Sequence, residues 1–102
     1  MQIHTENYGK TAELRLQGKF VFDTFKPLRD ACMLALDDSA IERIRLELSQ
    51  VEYLDSSALG MLLLVKEKAS KLGKDVHIKG AKGIVMDVLE VAKFKQMFEF
   101  QN

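Results

Sequence analysis

Asp55-Ser56-Ser57-Ala58-Leu59-Gly60 joins two unlike patterns. Ahead of it, Ile44, Leu46 and Leu48 alternate with Arg43, Arg45 and Glu47, the period of a half-buried strand. Ser49 to Leu54 carries that strand to the junction. Behind it lies Met61-Leu62-Leu63-Leu64-Val65, inside a helix expected from about Ser57 to Leu72 with Gly73 as its C-terminal stop. A strand that runs directly into a helix is the first half of a parallel crossover unit, so this junction sets the fold class.

Towards the N-terminus, Ile3 to Asn7 reads as a weak strand and Tyr8-Gly9-Lys10 as a turn. Thr11 to Gln17 alternates, with Ala12, Leu14 and Leu16 on one face, and pairs back as a hairpin. Gly18 is expected to break it and to open a loop, Gly18 to Asp23, carrying Phe20, Val21 and Phe22. Asp23 or Thr24 is placed to cap a first helix, with Pro27 in its first turn. Phe25, Leu28, Cys32, Ala35 and Leu36 form its stripe, and Asp37-Asp38-Ser39 ends it.

Towards the C-terminus, Asp75 to Lys79 reads as a short strand with Val76 and Ile78 inward. Ile84, Val85, Val88, Leu89 and Ala92 mark a third helix, and Phe94, Met97, Phe98 and Phe100 a closing strand. The order β-β-α-β-α-β-α-β gives an α/β fold. Each helix links two strands, which implies right-handed crossovers and parallel pairing after the opening hairpin. A parallel sheet covered on both faces has continuously apolar strands. These strands alternate, so a mixed, mostly parallel sheet with helices largely on one face is expected.

The 102 residues suit one domain, 1–102, and 47% apolar residues suffice for a core. Fifteen basic and fifteen acidic side chains cancel, which argues against a nucleic-acid-binding role. The single cysteine, Cys32, rules out an internal disulfide and fits a reducing compartment. No signal-peptide pattern opens the chain, and the longest apolar run is too short to cross a bilayer. A cytoplasmic protein without membrane insertion is expected.

Catalysis finds little support. A serine nucleophile needs a base held by a third group. His4 and His77 are the only histidines, and His77 falls on the outward side of its strand. There is no phosphate-binding glycine loop and no cluster at metal-ligand spacing, so neither cofactor nor metal is expected. Cys32 lies on the buried stripe of helix one. No enzyme is read here.

At the junction, one reading is simple capping, with Asp55, Ser56 or Ser57 accepting a backbone N–H. Three capping or small residues in a row exceed what one cap needs. The run at Met61 to Val65 is also apolar over more than one helix face, a surplus available to a partner. A phosphate on Ser56 would add about −1.5 to −2 charge at the positive end of a helix. The free N–H groups there are expected to accommodate it without melting the fold.

The segment Leu46-Glu47-Leu48 … Val51-Glu52-Tyr53-Leu54-Asp55-Ser56-Ser57-Ala58-Leu59-Gly60-Met61-Leu62 resembles the signature of STAS domains, D-S-[ST]-[GA]-[LIV]-G after a strand. The element order is similar to theirs over nearly the whole chain. A stand-alone domain of this kind resembles the bacterial anti-sigma factor antagonists. The resemblance implies a partner switch. Ser56 would be phosphorylated by an anti-sigma factor that is also a serine-protein kinase, and a PP2C-type phosphatase would reverse it. The unmodified form would bind and the phosphorylated form would not. Asp55, Ser57, Ala58, Leu59 and Met61 would face the partner. Where relatives carry an acidic loop residue this chain has Val21. Asp23, two residues on, is either its substitute or the cap of helix one. Some STAS domains are instead constitutive accessory subunits docking on an ABC-type ATPase of a lipid transport system, and that alternative stays open.

Overall fold

The alternation of Thr11–Gln17 and Arg43–Leu48 is realised as strands with one apolar face. The computed structural model describes residues 1–101. Its elements are β1 (Gln2–Tyr8), β2 (Thr11–Phe20), a 3-10 turn (Phe22–Thr24), α1 (Phe25–Asp37), β3 (Arg43–Leu54), α2 (Ser56–Lys71), β4 (Asp75–Lys79), α3 (Gly83–Val91), a second 3-10 turn (Phe94–Gln96) and β5 (Glu99–Gln101). The sheet order is β1-β2-β3-β4-β5. β1 is antiparallel to β2, and every later pair is parallel.

Right-handed crossovers that always step the same way across a sheet leave all their helices on one face. The burial follows that rule. Leu14, Leu16, Ile44, Leu46, Val76 and Ile78 point into a core with Leu28, Cys32, Leu62, Val65 and Leu89. The opposite face carries Glu13, Arg15, Arg45, Glu47, His77 and Lys79. Glu13, Arg45, His77 and Glu99 lie side by side across four strands. Glu13 is only 5% exposed. Its carboxylate accepts from Arg45 Nε at 2.6 Å and Arg15 Nε at 3.2 Å. Burial pushes its pKa up, but the Arg45 and Arg15 guanidinium groups more than offset that and hold it below the usual value.

Several sequence expectations give way to tertiary structure. Gly18 does not break β2, which continues to Phe20. Glycine is needed there because φ is +102°, within a stretch where the β2–β3 register slips twice. Each slip leaves an extra residue on β3, so its inward positions run Ile44, Leu46, Leu48, then Val51, then Leu54. Phe20 is therefore fully buried, not part of a solvated loop, whereas Phe22 is 68% exposed. Neither Asp23 nor Thr24 caps α1 with its side chain. Thr24 instead accepts from the Val21 amide at 3.1 Å and donates to the Lys19 carbonyl at 2.8 Å. Ile84 lies outside the α3 stripe and is exposed. Phe94 belongs to a 3-10 turn, with its ring stacked on Phe98 at 5.0 Å.

The helix ends have clear causes. Gly73, at φ +71°, closes α2, and the Lys74 amide donates back to the Ala69 carbonyl at 2.8 Å. The Lys74 ammonium then donates to the Ala35, Leu36 and Asp38 carbonyls, at 3.3, 2.6 and 2.8 Å. It thereby fills the orphan acceptors at the C-terminus of α1.

Candidate functional site

The site begins with the bulges of β3. They turn its last residues so that Leu54 is buried and the chain leaves the sheet at Asp55, whose amide donates to the Phe20 carbonyl at 3.3 Å. Asp55 is the N-cap of α2, which starts at Ser56, one residue before the expected Ser57. Its Oδ1 accepts from the Ala58 amide at 2.9 Å and from Ser57 Oγ at 2.7 Å. The Ser57 hydroxyl and then the Ala58 amide hold the Asp55 carboxyl below its usual pKa.

The two serines are therefore not equivalent. Ser57 is half-buried and committed to Asp55. Ser56 is exposed, and among the described residues nothing hydrogen-bonds its hydroxyl. Ala58 N–H is taken by the Asp55 side chain, and Leu59 N–H bonds the Asp55 carbonyl at 3.3 Å. Of the first-turn amides, Ala58 N–H is thus taken by the cap side chain, while Leu59 N–H begins the helical ladder.

The residues expected to face a partner separate by burial. Ala58 is 1% exposed and packs in the core, so it cannot reach a partner. It follows Ser57 on the inner side of α2 together with Leu62, Val65 and Ala69. Leu59 and Met61 are half-buried against the core. The exposed face of α2 carries Ser56, Gly60, Leu63, Leu64 and Glu67. Leu63 and Leu64 are 39% and 41% exposed. Counting three and four residues on from Ser56 finds this face, since such positions share one side of a helix. Asp23 is exposed on the 3-10 turn beside the junction, and Phe22 and Tyr53 add exposed aromatic rings at the same end of the sheet.

The histidines lie elsewhere. His77 is level with Arg45 in the first half of β3, and its Nδ1 meets Gln101 Nε2 at 2.8 Å. His4 pairs opposite Arg15. A shallow polar groove of about 760 Å³, lined by Glu13, Arg15, Glu47, Ser49 and Lys79 among others, also lies on the open face, away from Ser56. Among the described residues no cluster is arranged to hold a metal, and no helix is long and apolar enough to cross a membrane.

A five-stranded mixed sheet with one helical face and a D-S-S-A-L-G junction after its longest strand defines a STAS domain. The chain belongs to that family, whose model "Mlab, STAS domain" matches residues 3–99. A STAS-domain containing protein of Pseudomonas aeruginosa (strain UCBPP-PA14) is 32% identical over 93 residues, covering 89% of this chain and 88% of that one. Among solved structures, the fold matches a putative anti-sigma factor antagonist from Thermotoga maritima at TM-score 0.88, with 17% identity over 98% of this chain and 86% of that one. It also matches the anti-sigma factor antagonist SpoIIAA in its unphosphorylated form, at TM-score 0.75 with 16% identity over 99% and 87% of the two chains. The phosphorylated form of Bacillus SpoIIAA matches at TM-score 0.76, with 15% identity over 99% and 92%.

Proposed function

We propose that residues 1–102 act as one phosphorylation-controlled binding domain in the cytoplasm. The unmodified form binds an anti-sigma factor that is also a serine-protein kinase, or a related regulator. Phosphorylation of Ser56 releases it, and a PP2C-type phosphatase restores it. The observation that carries this reading is the asymmetry of the serines, with Ser57 tied to Asp55 and Ser56 exposed and untied. In the transfer, Ser56 Oγ forms a bond to the γ-phosphorus of ATP as the bond to the ADP oxygen breaks. The hydroxyl proton leaves to a base of the kinase.

Ser56 heads an exposed helix face with Gly60, Leu63 and Leu64, flanked by Asp23, Asp55 and Ser57, with Leu59 and Met61 supporting it. A partner packed there would desolvate a neutral serine at small cost and a phosphate dianion at large cost. Incubation with the partner kinase and ATP, followed by intact-mass measurement, tests the assignment. Wild type and Ser57→Ala should each gain one phosphate and Ser56→Ala none. Phosphate gain by Ser56→Ala at the wild-type rate would overturn it. A constitutive accessory role on an ABC-type ATPase would use the same α2 face without modification. Co-purification of such an ATPase with wild type and Ser56→Ala alike, and no phosphate gain, would favour that reading.

A further inference from the structure

The outer edge of β1 is a row of backbone donors and acceptors with no strand paired to it among the described residues. Which residues own that row follows from the hairpin. Tyr8 is opposite Thr11 across the two-residue turn Gly9-Lys10, with Gly9 at φ +60°. In such a turn the flanking residues exchange both backbone bonds. Direction alternates along a strand, so Tyr8, Glu6, His4 and Gln2 point to β2, and Ile3, Thr5 and Asn7 point outward. The Lys10 carbonyl agrees with this phase. It accepts from the Glu42 and Arg43 amides on the far side of β2, which leaves Thr11 facing β1.

An edge of this kind is usually shielded by shortness, a proline, a lysine or a bulge. β5, at the opposite edge, is three residues long. β1 has seven residues, with no proline or lysine among them, and its register with β2 is unbroken. All of them but Ile3 are exposed. His4 and Glu6 lie 3.5 Å apart on the open face of the sheet.

We infer that β1 pairs with β1 of a second copy, antiparallel about a two-fold axis at Thr5, joining two five-stranded sheets into one. The strand is complementary to itself in that register. Thr5 meets Thr5 and Ile3 meets Asn7, so every outward residue exchanges its bonds. On the open face, His4 of each copy lies opposite Glu6 of the other, in the non-hydrogen-bonded positions where side chains come closest. Outward residues must meet outward residues, so the register can slip only by two. One slip sets Glu6 against Glu6, the other sets His4 against His4, and each leaves an outward residue of β1 without a β1 partner.

The axis turns the second copy end for end. Gln2 pairs with Gln17, and β2 runs on from there to Phe20, whose carbonyl takes the Asp55 amide. The Gln2 end of β1 therefore lies at the junction end of the sheet. The two Asp55 junctions face opposite ends of the joint sheet, and self-pairing leaves both open whatever the state of Ser56.

Sedimentation equilibrium of the full chain, from about micromolar to about millimolar concentration, reads weak association of this kind. The average mass should rise towards twice that of the monomer. In NMR amide exchange, Ile3, Thr5 and Asn7 should gain about fivefold protection or more in the concentrated sample, while His4 and Glu6, bonded to β2, should change little. Thr5→Pro removes the central outward N–H and leaves the bonds to β2 intact, a place where an edge strand tolerates proline. It should abolish the dimer. His4→Glu sets carboxylates against each other twice per dimer and should weaken pairing about tenfold or more. Adding Glu6→His to that chain restores the complementary pairs and should recover it. The charge variants serve if the proline variant is poorly folded. A chain that stays monomeric across the range would overturn the inference, as would a dimer that survives Thr5→Pro and His4→Glu alike. Protection of the three amides only on adding the partner kinase, with the chain alone monomeric, would assign the edge to an extended segment of that partner and overturn self-pairing.

Discussion

Replacing Lys74 by Met removes one ammonium and leaves three carbonyls at the end of α1 without their donor. The contacts are at 2.6 Å to Leu36, 2.8 Å to Asp38 and 3.3 Å to Ala35, so two are strong and one is marginal. A hydrogen bond from a charged donor contributes about 1.5–3 kcal/mol where water is excluded. Here the site is only partly buried, so water regains some of the carbonyls. Freeing the lysine chain also returns up to about 2 kcal/mol of rotamer entropy. A net loss of about 2 kcal/mol is expected. At about 4–8 °C per kcal/mol for a domain of this size, the melting temperature should fall by roughly 8–16 °C. Lys71→Met is the control. Its ion pair to Glu67 spans 3.4 Å between side chains 74% and 65% exposed, and such pairs contribute roughly 0.5 kcal/mol or less. Circular-dichroism melts and urea titrations of both variants decide the matter. A Lys74→Met melt within 2 °C of Lys71→Met would refute the reasoning. Lys74 precedes β4, at the opposite end of the parallel strands from Ser56, so partner binding well below the melt should not change.

The serine asymmetry has its own stability signature: Ser57→Ala should lower the melting temperature by a few degrees, while Ser56→Ala leaves it level or raises it. Phe22→Ala should leave the melt unchanged, because the ring is largely exposed, yet weaken kinase binding about tenfold or more in a titration. Glu13 has a depressed carboxyl pKa, so its contribution is present above the unfolded-state carboxylate range and is lost as pH falls through its lower folded value. The gap in melting temperature between wild type and Glu13→Gln should be widest near neutrality and should close on acidification; a gap independent of pH would contradict this. Burial pushes the Cys32 thiol up to about 12, so iodoacetamide at pH 8 should modify it only after unfolding, and rapid labelling of the native chain would count against a buried thiol.

Most of the architecture was legible along the chain because the strands are short and alternate and the helices carry stripes. Two of the differences between pattern and structure share one cause. Along the chain Gly18 reads as the end of a strand and Phe20 as part of a loop, because glycine punctuates most strands. Here it sits in a bulged stretch whose partner strand supplies the hydrogen bonds, and pairing between distant segments leaves no mark in either one alone. The lost alternation of β3 after Leu48 has the same origin. The motif places Ala58 on the partner surface, but its position on α2 turns it into the core.

The sequence alone determined the α/β class, the single helical face and the D-S-S-A-L-G junction, because each rests on local periodicity or on neighbouring residues. It could not choose between the two serines except by resemblance, nor see that Asp55 holds the Ser57 hydroxyl and the Ala58 amide. Those facts depend on where hydroxyls and amides point once β2 and β3 have paired and bulged. Only the tertiary structure decided that the Ser57 hydroxyl is bonded to Asp55, that Ser56 is exposed, and that Phe22 is exposed while Phe20 is buried.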